Sequence, residues 1–420
     1  MNVLLKKAII LSASSPYHRQ AKDILIIDGI ISKIAENIPA EKDIEILELD
    51  NMHVSIGWMD IFSDFSEPGN EQNETLETGA NAASAGGFTD IMLMPNSNPV
   101  VSSKAQVEFL KQRSQVLSVS VHPIGAVTKN AAGNELAEMY DMFDSGAVAF
   151  SDGKKPLQQT GILLKALQYG LAKDAVIIQV PDDVSISEGG LMNEGITSTR
   201  LGLTGNPALS EELMIARDLS LLKYTNSKLH ITGVSLKKGL DLIKQAKKNG
   251  LNITCSVTPY HLFFNDEDLE DYDTNLKVNP PLRGLADVSA LQKALRGGDI
   301  DCIASHHIPQ CADYKICEFE YAKHGMITIQ TLFGTVNGIL NNTELLVTML
   351  TENCRNIFSM DIPKIIKGAV ACLTLFDPET EYVFEESMIL SKSKNSPFIG
   401  KKMKGKIIGI VNKNKLVINK

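Results

Sequence analysis

Gly57-Trp58-Met59-Asp60-Ile61-Phe62-Ser63-Asp64-Phe65-Ser66-Glu67-Pro68-Gly69 divides this chain into two kinds of sequence. The stretch reads as an apolar strand running out into a Pro-Gly turn, with Phe62, Asp64 and Ser66 at its outgoing end. Before it, residues 1 to 55 alternate short β-rich runs with turns. Asp28-Gly29, set between Ile24–Ile27 and Ile30–Ile34, predicts a hairpin because both turn positions favour positive φ. After it, short apolar runs alternate with amphipathic stretches.

Those runs include Thr89–Met94, Ser118–Val121, Ala147–Phe150, Val176–Val180, Lys228–Ile231, Leu251–Cys255 and Asp301–Ala304, with helical patterns over Ser210–Leu222 and Lys237–Asn249. Repeated β-then-α units over ~300 residues predict an α/β fold, a (β/α)8 TIM-like barrel whose chemistry sits at the C-terminal ends of its strands. The C-terminal segment returns to β character at Cys372–Pro378, Met388–Leu390, Lys406–Val411 and Leu416–Ile418. Neither end is long enough for its own core, so residues 1–55 and 370–420 are expected to form one small β-sandwich domain beside a barrel spanning 56–369.

The 420 residues, 44% hydrophobic and 22% charged, are ordinary for a large globular core. A formal charge of -9 argues against nucleic acid or an anionic membrane as the main partner. No apolar run approaches the ~18 residues that span a bilayer. Met1–Ser15 reads as a strand and not as a signal peptide, so a cytoplasmic location is expected. The cysteines, Cys255, Cys302, Cys311, Cys317, Cys354 and Cys372, form no Cys-x-x-Cys pair and read as free thiols.

Further segments stand in a defined order: Met94-Pro95-Asn96-Ser97-Asn98-Pro99, Pro123–Lys129, Gly190–Gly195, Val257–Leu262, Lys277-Val278-Asn279-Pro280-Pro281-Leu282-Arg283 and Ser391–Phe398. With the Gly57–Gly69 stretch they resemble the dihydroorotases, a cyclic amidohydrolase family, from Gly57 to Phe398. The resemblance implies an amidohydrolase-type barrel. The family writes its opening strand Gly-x-x-Asp-x-His-x-His-x-Arg-Asp-Pro-Gly, where the two His bind zinc and the Arg holds the substrate carboxylate. Here the His positions are Phe62 and Asp64, and the Arg position is Ser66.

Opening or closing a dihydropyrimidine ring needs a polarised carbonyl and an activated water. A zinc centre supplies both by lowering the pKa of bound water to ~7, and needs three or four convergent N/O ligands. By the resemblance, the later metal positions are Asp152, Gln179 and Gly233, and the family's catalytic Asp falls on His306. Phenylalanine and glycine offer no ligand, and a glutamine amide is a poor one. No cofactor is therefore expected. As the alternative, Asp64, Asp152 and His306 offer two carboxylates and an imidazole, akin to a facial triad. Otherwise Asp64 and His306 form a hydrogen-bonded pair in a polar cavity.

The family's carboxylate-binding positions fall on Ser66, Asn96 and Gln310, and the sequence offers no positive charge in place of the Arg. His307, His261 and His230 read as hydrogen-bonded structural imidazoles. Asn279 and Arg283 line the pocket by the resemblance, with Arg283 equally readable as a structural tie. His18, His53, His122 and His324 lack motif context and read as surface or loop residues.

Three functions follow. The first is a catalytically inactive dihydroorotase-like protein of pyrimidine biosynthesis, expected as a homodimer, serving as a structural or regulatory partner of aspartate transcarbamoylase. The second is a cyclic amidohydrolase with altered or metal-independent chemistry through Asp64, Asp152, His306 and His307. The third is a small-molecule sensor using the remnant pocket.

Overall fold

The computed structural model describes residues 1–40 and 44–419. Strands β1 (Asn2–Ile10), β2 (Ala21–Ile27), β3 (Ile30–Ala35), β4 (Glu45–Leu47) and β5 (His53–Ile56) lead into β6 (Trp58–Ser63), the Gly57–Gly69 stretch. Next come β7 (Phe88–Leu93), β8 (Ser120–Gly125), β9 (Ala149–Phe150), β10 (Val176–Gln179), the small pair β11 (Met192–Asn193) and β12 (Gly205–Asn206), then β13 (Lys228–Thr232), β14 (Ile253–Val257) and β15 (Cys302–Ile303). The chain finishes with β16 (Cys372–Val383), β17 (Lys402–Asn412) and β18 (Lys415–Ile418).

Strands β6 to β10 and β13 to β15 form one parallel sheet in the order β15-β14-β13-β10-β9-β8-β7-β6. A parallel bridge between Ser63 and His307, with Asp64 N–H on the His307 carbonyl at 2.9 Å, joins its two edges. The fold is therefore the expected (β/α)8 barrel. Its strands are apolar on both faces because one side meets the barrel interior and the other meets helices. Helix Lys237–Lys248 shows the second contact: Gly239, Leu240, Ile243 and Ala246 are buried at helical spacing while Lys237, Lys238, Lys244 and Lys248 face water.

Both termini enter one continuous sheet, ordered β18-β17-β16-β5-β1-β2-β3, with β4 added to β1. The junction is β5 against β16, where Leu373–Phe376 pair antiparallel with His53–Ile56. Asp28 (φ 49) and Gly29 (φ 76) close the β2–β3 hairpin. Trp58 fastens this sheet to the barrel. It is fully buried, its indole N–H donates to Ser55 Oγ at 2.9 Å, and its ring packs on Phe88, Phe333 and Phe376. One expected β run is absent: Met388 ends a short 3-10 turn, and Ile389 is buried beside Phe384 and Phe398 and not in a sheet.

Candidate functional site

The C-terminal strand ends open into a cavity of about 580 Å3, lined in part by Phe62, Lys154, Asn279, His306 and Gln310. Its floor departs from the expected polar pair. Asp64 and His306 do not bond to each other: each is engaged elsewhere.

Asp64 lies just past β6. Its Oδ1 accepts the Ser66 backbone N–H at 2.7 Å and its Oδ2 is 2.5 Å from the Lys154 ammonium. A cation therefore does stand beside the Ser66 turn, correcting the expectation that none would. It is supplied by the loop after β9. Asn96 builds that loop, donating to the Asp152 carbonyl at 3.0 Å and accepting the Lys154 N–H at 2.9 Å. Gly153 (φ +65) is required there, because a Cβ would fall 1.8 Å from Asn96 Oδ1. Asn96 thus spends its amide on the loop.

Asp152 turns toward Thr128, whose backbone N–H it accepts at 2.9 Å and whose hydroxyl also donates to it. Burial pushes its carboxyl above the usual range, and the Thr128 hydrogen bonds oppose that rise. Gln179 accepts the Leu157 N–H at 3.2 Å and donates to Asp218 at 3.4 Å. Asp218 is pushed up to about 6 by burial, against the neighbouring Arg217.

His306 carries a positive φ of 45 and hydrogen-bonds Thr232 Oγ1 through Nε2 at 2.7 Å. Thr232 continues to Ser256 at 2.9 Å, and Ser256 to His230 Nε2 at 3.0 Å, so two hydroxyls link two imidazoles. Burial holds His306 down at about 3, with His261 and His230 adding to the effect, so it is neutral near pH 7. Its ring packs on Phe62 with centroids 4.8 Å apart.

Gly233 and His306 interlock. Gly233 has φ +75, and a Cβ there would meet His306 Cε1 at 2.8 Å. The imidazole occupies the room a side chain at 233 would need. Gly233→Ala is expected to cost about 2 kcal/mol from positive-φ strain and overpacking. In a His306→Ala background roughly half of that cost disappears, a coupling of about 1 kcal/mol readable in a double-mutant cycle by urea unfolding.

The other histidines bond locally. His307 Nδ1 accepts the Thr328 N–H at 3.2 Å, and its Nε2 lies 3.6 Å from Glu74. His261 bridges Thr258 and the Pro280 carbonyl, each at 3.0 Å. His122 is not a surface or loop residue: it lies on β8 and pairs with Asp90 at 2.8 Å, where Arg355 joins from the other side. His324 sits in a loop but lines the cavity. Asn279 donates to Asp182 at 2.9 Å. Arg283, 2% exposed, does not reach the cavity, because it ties Ser235, Asn193, Asn206 and Glu211.

Zinc demands convergent donors with free lone pairs. Among the described residues no group of three or more His, Cys, Asp and Glu is arranged to hold a metal ion. Asp64 is held by Lys154, Asp152 by Thr128 and His306 by Thr232, while Phe62 and Gly233 offer nothing. These residues do not fit a zinc centre, and the facial-triad alternative fails on the same geometry. Lys154 is a site residue that the sequence did not single out. Its signal was proximity, two residues past Asp152 at a barrel strand end.

Closed (β/α)8 barrels carry their sites at the C-terminal strand ends, which is where this cavity lies. Solved structures agree at the level of fold: the L-hydantoinase (dihydropyrimidinase) of Arthrobacter aurescens superposes with a TM-score of 0.86 at 23% identity, covering 100% of this chain and 96% of that one. A D-hydantoinase from Thermus sp. gives 0.83 at 18%, covering 99% and 95%.

Sequence comparison narrows the class. The Dihydro-orotase-like family pattern matches residues 53–239. A dihydroorotase of Pelotomaculum thermopropionicum is 39% identical over 394 residues, 92% of this chain and 91% of the relative. One of Caldanaerobacter subterraneus subsp. tengcongensis is 39% identical over 415 residues, 96% and 94%. The chain belongs to the dihydroorotase-like family. Among the described residues no helix is long and apolar enough to cross a membrane.

Proposed function

We propose that this chain is a dihydroorotase-family protein of pyrimidine biosynthesis that has given up ring opening and serves as a structural or regulatory partner of aspartate transcarbamoylase. The observation that carries the reading is the Gly233–His306 interlock beside the Asp64–Lys154 ion pair. One former ligand position has no side chain, and an imidazole fills its space. Another is neutralised by a lysine.

Close approaches such as Gly153 against Asn96 are well formed, which supports the reading of a kept scaffold without its donors. A metal-independent hydrolase would need a base near neutral pH. His306, held at about 3, is too weak a base, and Asp64 is bound to a cation. Function follows the site and not the fold.

Elemental analysis of tag-free protein is expected to find zinc well below one per chain. A dihydroorotate ring-opening assay with added zinc is expected to show no turnover above the protein-free rate. Co-purification with aspartate transcarbamoylase from the same cells is expected to follow. Stoichiometric zinc with turnover would overturn the reading. Absence of any complex would remove its partner half.

A further inference from the structure

The cavity wall formed by the loops around Lys277 and around residues 315–325 carries a cationic cluster that ring chemistry leaves unused. Lys277 and Lys315 are nearly buried, at 3% and 7% exposure. Lys277 Nζ donates to the Phe319 and Glu320 carbonyls, both at 2.8 Å. Lys315 Nζ donates to the carbonyls of Thr274 at 2.8 Å and Lys323 at 2.7 Å. An ammonium has three N–H donors, so each keeps one free of these carbonyls.

Lys323, exposed, holds its ammonium 3.3 Å from the Tyr314 ring centroid. Among the described residues none of these lysines makes an ion pair, whereas Lys154 does. Burying unpaired charge is costly. Burial pushes Lys315 down to about 7, with Asp273 opposing and Lys277 adding repulsion.

A second observation points to the same place. Gln310, 7% exposed, donates through Nε2 to the His324 carbonyl at 3.0 Å, but its Oε1 is buried without a partner. Gln310, Lys277 and Lys323 all line the cavity. Glu320 is the one carboxylate in the lining and acts on Lys277 without forming an ion pair, so lysines outnumber it, and the Gln310 oxygen still lacks a hydrogen-bond donor.

We propose that the cavity binds a small phosphomonoester bearing hydroxyl or amide N–H groups, with Lys277 and Lys323 facing the phosphate and Gln310 Oε1 accepting from the rest of the ligand. A phosphomonoester carries roughly two negative charges at neutral pH, matching two unpaired lysines. The lining has no arginine, so the anion would be held by point charges, which is how lysine binds phosphate, and a dianion draws on both lysines at once. The volume of about 580 Å3 is that of a small-molecule site. The proposal stands apart from the metal and turnover reading and does not depend on it.

Ribose 5-phosphate is the probe, titrated by calorimetry and thermal unfolding into the full chain, with succinate at matched ionic strength as the carboxylate dianion. Ribose 5-phosphate is expected to bind and raise Tm, with succinate giving a clearly smaller shift. Lys323→Ala, an exposed position that leaves the core intact, is expected to weaken binding about tenfold, the loss of one charge-assisted contact. Lys277→Met is expected to weaken it at least as much, and Gln310→Leu to weaken ribose 5-phosphate but not inorganic phosphate. Equal effects of succinate and ribose 5-phosphate, no binding of ribose 5-phosphate, or affinity unchanged in both lysine variants would each overturn the proposal.

Discussion

Moving from pH 7 to pH 5 is expected to remove about 4 kcal/mol of stability, a large share of the ~5–15 kcal/mol typical of a folded protein. The main cause is a set of buried imidazoles, of which His306 lines the cavity. Burial holds His230, His261 and His306 each down at about 3, against an ordinary value near 6.5. The unfolded chain binds protons on them below about 6.5 and the folded chain does not, so their contribution is intact above that pH and lost as pH falls toward 3. At pH 5 each is worth about 2 kcal/mol, so the three together give ~6 kcal/mol.

Asp218, pushed up to about 6, acts in the opposite sense and returns ~1 kcal/mol over the same interval. Asp60, Asp152 and Glu211, also raised by burial, add to that opposition, while His324, held down at about 4, adds to the loss. Urea unfolding at pH 7, 6 and 5 measures the sum, and His261→Gln should reduce the slope. A flat profile would mean that the imidazoles are protonated in the folded protein. A charged His306 facing the cavity would then reopen the acid–base reading of the site.

The barrel was legible in the sequence because its cause is local. Apolar runs such as Val176–Gln179 and Lys228–Thr232, each followed by an amphipathic helix, write the β-then-α alternation directly. The loss of donor chemistry at Phe62 and Gly233 was equally visible, since a residue type alone excludes ligation. Partnerships were not visible. Asp64 meets Lys154 across 90 residues, and His306 meets Thr232 across 74. Nothing local chooses those partners over the expected pairing of Asp64 with His306.

Lys277 and Lys315 show another limit. Lysine reads as surface by default, and only the packed loops reveal carbonyls gathered around a buried ammonium. Met388–Leu390 failed for a related reason. Three apolar residues fit a strand or a buried turn alike, and contact with Phe384 and Phe398 decides for the turn.

Arg283→Ala is expected to cost about 3–5 kcal/mol, the range for removing one partner of a buried ion pair. Arg283 Nη2 lies 3.4 Å from Glu211, whose side chain is fully buried near the start of helix Ala208–Thr225. Glu211 also accepts the backbone N–H groups of Ser235 at 2.9 Å and Leu236 at 3.0 Å, while Arg283 Nε donates to Ser235 Oγ at 2.9 Å. Burial already raises the Glu211 carboxyl and Arg283 is the largest influence opposing it, so the truncated protein would hold a carboxylate with no counter-charge.

The same guanidinium reaches Asn193 and the Asn206 carbonyl on β11 and β12, and Asn206 packs under Gly190, which lines the cavity. The tie therefore fixes a cavity wall without touching its contents. Arg283→Met combined with Glu211→Gln, which removes both charges, is expected to recover most of the loss in urea unfolding, because a buried pair is expensive to break and cheap to replace. If Arg283→Ala left stability intact and changed only ligand affinity, Arg283 would be a pocket residue after all. Full stability in the double variant would instead show that the pair serves the position of the wall more than the energy of the fold.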